Sequence, residues 1–97
     1  MLVTTQGIAH DSEKHPSFWI FVRASLARFE KKDWGNLCEH DREMNKDYFV
    51  DKNRARLFAK YDIESDMKDF CEEKSIYIIR EWDGFKDITT ILYPGEY

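Results

Sequence analysis

The sequence predicts an α+β fold in one domain over residues 1–97: an N-terminal strand, two helices, then a three-stranded antiparallel meander packed under the helices. Three observations lead there. Apolar residues recur at helical spacing after Pro16, β-branched and aromatic runs dominate after Arg56, and the chain is long enough for one modest core. At 97 residues and 11.7 kDa, size scaling allows a folded surface of about 5,900 Å² against about 17,000 Å² unfolded, so roughly 65% of the surface can be buried.

Residues 2–9 (LVTTQGIA) are short and β-branched and read as a strand ending at Gly7 or just past it; residues 11–14 follow as a polar loop. Pro16 suits the first turn of a helix, in which Phe18, Val22, Leu26 and Phe29 make one face at spacings of four, four and three. Trp19, Ile20 and Phe21 widen that face. Lys31 and Lys32 favour the C-terminal end of the helix dipole, and Gly35 is expected to end the segment. A second, more polar helix is expected from about Cys38 to about Asp51, with Glu39 and Asp41 in its first turn and Met44, Tyr48 and Phe49 toward the core.

Residues 56–63, 76–82 and 88–93 then read as the three strands of the meander. Asp83-Gly84 signals a hairpin whose connection, through Lys86, is longer than two residues. In the last strand Ile88, Thr90 and Leu92 alternate with Thr89, Ile91 and Tyr93, the pattern of a half-buried sheet. The acidic stretch 62–74 has room for one helical turn around 67–71. The N-terminal strand has to join one edge of the meander, with no residue pattern to select which. Leu26 and Ile78 are expected in the core.

Composition excludes several functions. Fifteen percent aromatic residues with only four Gly and two Pro rule out a disordered or collagen-like chain. No apolar run approaches the roughly 20 residues of a membrane span, no signal-peptide pattern opens the chain, and two cysteines make no disulfide framework, so a cytoplasmic location is expected with no membrane partner. A formal charge of −4 and a pI of about 5.3 argue against a nucleic-acid binder and allow an acidic protein that fills a nucleic-acid channel on another protein.

The sequence resembles a family of small proteins found on plasmids and integrative elements, on the pieces Thr5-Gln6-Gly7-Ile8-Ala9, Phe21-Val22-Arg23-Ala24-Ser25-Leu26-Ala27-Arg28, Asp33-Trp34-Gly35-Asn36-Leu37, Asp41 with Asn45, and the ending Thr89-Thr90-Ile91-Leu92-Tyr93-Pro94-Gly95-Glu96-Tyr97. Similar sequences carry the labels "plasmid-related protein" and "type I restriction endonuclease subunit M". This chain lacks the Gly they carry after the second helix, and residues 62–74 look like an insertion. The second label does not suit a chain of 97 residues with four scattered Gly, since a methyltransferase needs a doubly wound sheet and a glycine-rich cofactor loop. Small size, acidity, the lack of a catalytic constellation and the plasmid and integrative-element setting that the resemblance implies together point to a non-enzymatic interaction protein of a mobile element, for example an inhibitor of a host defence nuclease such as a restriction or CRISPR effector. The alternative is an accessory factor for plasmid maintenance that reads nucleic acid through the first helix.

Few residues suggest chemistry. His10, Asp11, Glu13 and His15 are four potential metal ligands without the spacing of a zinc or calcium site, and Cys38 with His40 lacks a second pair; no catalytic residue, metal or cofactor is expected. The candidate binding residues are Trp34 with a polar rim of Asp33, Asp41 and Asn45, and the cations Arg23 and Arg28 on the first helix. Against that reading stands a structural one, in which Trp34 plugs the corner between the helices, Gly35 permits its turn and Leu37 anchors the second helix.

Overall fold

The computed structural model describes residues 1–64 and 73–97. Their order is β1 (Leu2–Thr4), α1 (Gln6–Lys14), α2 (Pro16–Glu30), α3 (Glu39–Val50), β2 (Leu57–Asp62), β3 (Ser75–Trp82), β4 (Asp87–Leu92) and a closing 3₁₀ turn (Pro94–Glu96). The α+β class and the antiparallel meander match expectation. The sheet order is β1-β4-β3-β2, and the edge that β1 joins is that of β4, in parallel. The turn expected around residues 67–71 lies outside the described residues.

One helix was not anticipated. Where a longer strand and then a polar loop were expected, β1 stops at Thr4 and α1 runs from Gln6 to Lys14. Its N-terminus is capped from the far end of the chain. The Glu96 carboxylate accepts from Thr5 Oγ1 at 2.6 Å, from the Gly7 amide at 3.2 Å and from the Tyr93 amide at 3.0 Å. Helix N-termini expose unpaired amides and favour a negative charge, so this remote carboxylate supplies what the local residues do not. Ile8 is fully buried, and Asp11 accepts the Tyr93 hydroxyl at 2.5 Å. Residues 5–11 and 93–96, far apart in sequence, are therefore two halves of one clasp. Pro16 then ends α1 by holding His15 in extended backbone, and opens α2 as expected.

Helix α2 buries Phe18, Val22 and Phe29. It closes earlier than Gly35: Lys32 takes the left-handed conformation at φ 64°, with Lys32 N–H donating to Phe29 and Asp33 N–H to Arg28, the two bonds of a Schellman cap. Helix α3 keeps its expected position and buries Tyr48 as expected, but the rest of its face differs. Asn45 and Tyr48 are buried, whereas Met44 and Phe49 are about half exposed.

The inner face of the sheet presents Leu57, Ala59 and Tyr61, then Ile76 and Ile78, then Thr89 and Ile91, each row in register with the next. Together with Ile8, Phe18, Val22, Phe29, Tyr48 and Tyr93 they form the core. Leu26, expected inside, lies only half-buried at the core's rim, because Phe18, Val22, Ser25 and Phe29 take the innermost stripe of α2. The hairpin is set by Asp83, whose carboxylate accepts from the amides of Phe85 and Lys86, with Gly84 at φ 97°. Among the described residues no helix is long and apolar enough to cross a membrane.

Two outcomes follow. Ile78→Ala should lower unfolding free energy by about 2–5 kcal/mol, and Leu26→Ala by clearly less, measured by urea denaturation. For Glu96, burial alone would raise the carboxyl pKa, but the bonds from Thr5 and from the Tyr93 and Gly7 amides outweigh it and hold it below the ordinary glutamate value. A depressed carboxylate stabilises the fold above its unfolded-state pKa and loses that contribution as pH falls through the folded-state one. Between about pH 5 and pH 3 the parent should therefore lose more stability than Glu96→Gln, which has no proton to take up there.

Candidate functional site

Four of the six sequence-predicted binding residues are occupied inside the molecule or at its corner. Strand β2 is an edge strand, and its outward amides and carbonyls need partners. Phe58 finds both in one side chain: its N–H donates to Asn45 Oδ1 at 2.9 Å and its carbonyl accepts from Asn45 Nδ2 at 2.8 Å. At Lys60 the chain itself serves, with Lys60 N–H donating to the Trp34 carbonyl at 3.2 Å and Asn36 N–H to the Lys60 carbonyl at 2.7 Å. Asp62 N–H donates to Asn36 Oδ1 at 3.0 Å. Residues 34–36 thus act as a fragment of fifth strand, and Asn45 as a side-chain imitation of one.

That close approach explains Gly35. A Cβ there would sit 2.2 Å from the Lys60 carbonyl oxygen and 2.6 Å from the Tyr61 ring, and the residue holds φ +69°. Asp33 steadies the corner, accepting from Arg28 Nε at 2.8 Å and from the Gly35 amide at 3.1 Å. The Arg28 bond, followed by the Gly35 amide, holds its carboxyl below the usual aspartate range. The Asp33 carbonyl accepts the Tyr61 hydroxyl at 2.6 Å, and burial above all pushes that phenol's pKa up. Arg42 donates to the Gly35 and Leu37 carbonyls. Trp34 is half-buried, edge-on to Phe29 with centroids 5.4 Å apart, and Leu37 is buried, as the corner-plug reading expects. Arg23 is exposed on α2, on the inner side of the sheet.

The β2 side of the sheet carries a different feature. A groove of about 780 Å³ opens between α3, the loop of residues 51–56, the outer face of β2 and β3, and the C-terminal turn. Asp41, Met44 and Asn45 line it from α3, Phe58, Tyr77, Glu81 and Trp82 from the sheet, and Pro94 and Tyr97 from the turn. Of the predicted residues, Asp41 and Asn45 reach it. Lys52, Arg54 and Arg56 form its basic wall. Lys52 Nζ stands 3.6 Å above the Trp82 ring, and the Arg56 guanidinium 5.2 Å above the Tyr97 ring. Phe58, Tyr77 and Tyr97 pack tilted or edge-to-face on one another at 4.7 to 6.3 Å. The loop is shaped by Asp51, whose carboxylate accepts from the Asn53 amide at 3.1 Å.

These cations and rings were missed in the sequence. The signal was present as Lys52-Asn53-Arg54-Ala55-Arg56, three cations in five residues directly after a helix, but the overall charge of −4 masks it. The potential ligands near the N-terminus serve other ends: Asp11 holds Tyr93 and contacts His10 at 3.3 Å, while Cys38 Sγ donates to Asp41 at 3.2 Å. Among the described residues no three His, Cys, Asp or Glu side chains gather as a metal site. No family model, curated protein or solved structure matches the chain, so function has to be read from the groove.

Gly35→Ala should destabilise the fold by more than the about 1–2 kcal/mol that left-handed backbone alone costs, because backbone atoms block the new methyl. Asn45→Ala should cost about 1–3 kcal/mol for each Phe58 backbone group left buried without a partner. Calorimetric melting checks both; an Asn45→Ala melt equal to the parent's would show that the edge closure does not depend on this side chain.

Proposed function

We propose that the chain is a non-enzymatic interaction protein that binds another protein through the groove. The resemblance to plasmid and integrative-element proteins supports placing it on a mobile element, with a host restriction or CRISPR nuclease as the partner. One observation carries the reading: Arg54, Arg56, Trp82, Tyr77 and Tyr97, of the residue types enriched among those that dominate binding energy at protein interfaces, are concentrated around one concave surface. A module of this kind acts by occupying a surface, and a groove suffices. The alternative, a nucleic-acid accessory factor using α2, has less support, because Arg28 is already engaged by Asp33 and lies over the Tyr61 ring.

The test is protection. Cells expressing the parent chain should shield an incoming phage or plasmid from a restriction or CRISPR system, and Lys52→Glu with Arg54→Glu should reduce that protection at least about tenfold, with the fold retained and the melting temperature lowered by no more than the loss of the exposed Lys52–Trp82 contact, about 0.5–1 kcal/mol, requires. A double variant that protects as well as the parent would remove the groove from the function. A parent that protects against no such system would remove the nuclease as partner.

A further inference from the structure

Resting on the interaction reading above, we infer that the groove receives a short acidic peptide segment bearing an aromatic or apolar side chain, presented by the partner protein. Charge supplies the first argument. In a chain of net charge −4, Lys52, Arg54 and Arg56 crowd one wall, and Arg54 is 87% exposed with only a long 3.6 Å contact to Asp51. A partner carboxylate near them gains charge-assisted hydrogen bonds, and Arg offers a planar fork that matches it.

The rings decide between acidic peptide and nucleic acid. Base stacking needs a flat, open aromatic face. Here Lys52 covers a face of Trp82, Arg56 covers a face of Tyr97, and Phe58, Tyr77 and Tyr97 are turned onto one another. A cation laid on a ring keeps its outer N–H groups available and loses less freedom on binding, so the same geometry that blocks stacking prepares the groove for carboxylates. Asp41 and Glu81 also line it, and they would oppose a chain carrying a phosphate at every step more than a peptide with spaced carboxylates.

The mode of binding is constrained as well. A partner strand adds poorly to β2, because Asn45, Trp34 and Asn36 already satisfy the outward groups of Phe58 and Lys60 and the Asp62 amide. Recognition has to run through side chains. A volume of about 780 Å³ lies within the about 300–1,000 Å³ of compact ligand sites, which suits a short segment and one anchoring side chain.

Fluorescence anisotropy with three labelled probes tests this: a short glutamate peptide in which serine alternates with glutamate around one central phenylalanine, the same peptide with lysine for glutamate, and oligothymidylate. The glutamate peptide should saturate the protein and bind at least about tenfold more tightly than the other two. Lys52→Glu with Arg54→Glu should weaken it at least about tenfold, whereas Lys14→Glu with Lys31→Glu, an equal charge change on exposed positions of α1 and at the end of α2, should leave it within about twofold. Tighter binding of oligothymidylate would make the groove a nucleic-acid site, and equal losses in both double variants would reduce it to a diffuse field. If no peptide binds while the groove variant still abolishes protection, the proposed occupant is wrong and the groove reading stands. If the groove variant keeps protection, that reading itself falls.

Discussion

The structure depends on how one sheet edge is closed. A short sheet with a free edge strand invites pairing with other chains, and β2 would be such a strand without its neighbours. Its three outward positions are met in three ways: by the Asn45 amide at Phe58, by main chain from residues 34–36 at Lys60, and by the Asn36 side chain at Asp62. Each solution fixes something else. Asn45 locks the rotation of α3, the Trp34-to-Asn36 segment fixes where the chain leaves α2, and Gly35 is required because the two backbones approach too closely for any side chain. The segment around Trp34 and the Asn45 side chain, candidates for a binding epitope in the sequence, find their main use in this closure, whereas Asp41 accepts from Cys38 and lines the groove.

A second closure ties the chain's ends. Glu96 spends its carboxylate on the N-terminus of α1 and on the Tyr93 amide, while Tyr93 reaches back to Asp11. Neither contact is local. Together the two closures engage Thr5, Gly7, Asn36, Asn45, Tyr93 and Glu96 in holding the fold, whereas the side chains of the 51–56 loop hold no backbone group of the sheet.

The elements that were legible in the sequence are those whose causes lie within a few residues. Helix α2 follows from Pro16 and its apolar spacing, the hairpin from Asp83-Gly84, and the faces of β4 from simple alternation. What was illegible has remote causes. Helix α1 could not be seen because its cap comes from Glu96, and the true face of α3 because Asn45, a residue normally placed outside, is drawn in by two backbone groups of β2 while Met44 and Phe49 turn outward. The parallel pairing of β1 with β4 has no local signal. The groove is illegible for another reason: net charge averages over the molecule, and the fold brings Lys52, Arg54 and Arg56 together with Trp82 and Tyr97.

Edge closure and groove are one construction. To hold Asn45 against Phe58, α3 must run beside β2, which brings Asp41 and Met44 to the groove. The chain must then turn within residues 51–56 to enter β2, and that turn lays Lys52 and Arg56 on rings contributed by β3 and the C-terminal turn. The Asn45–Phe58 pair therefore sets the spacing of the two walls, so a change there disturbs stability and binding together. The loop cations carry no such burden. They lie on the surface, satisfy no backbone group of the sheet, and leave recognition free to change without reopening the edge on which the fold depends.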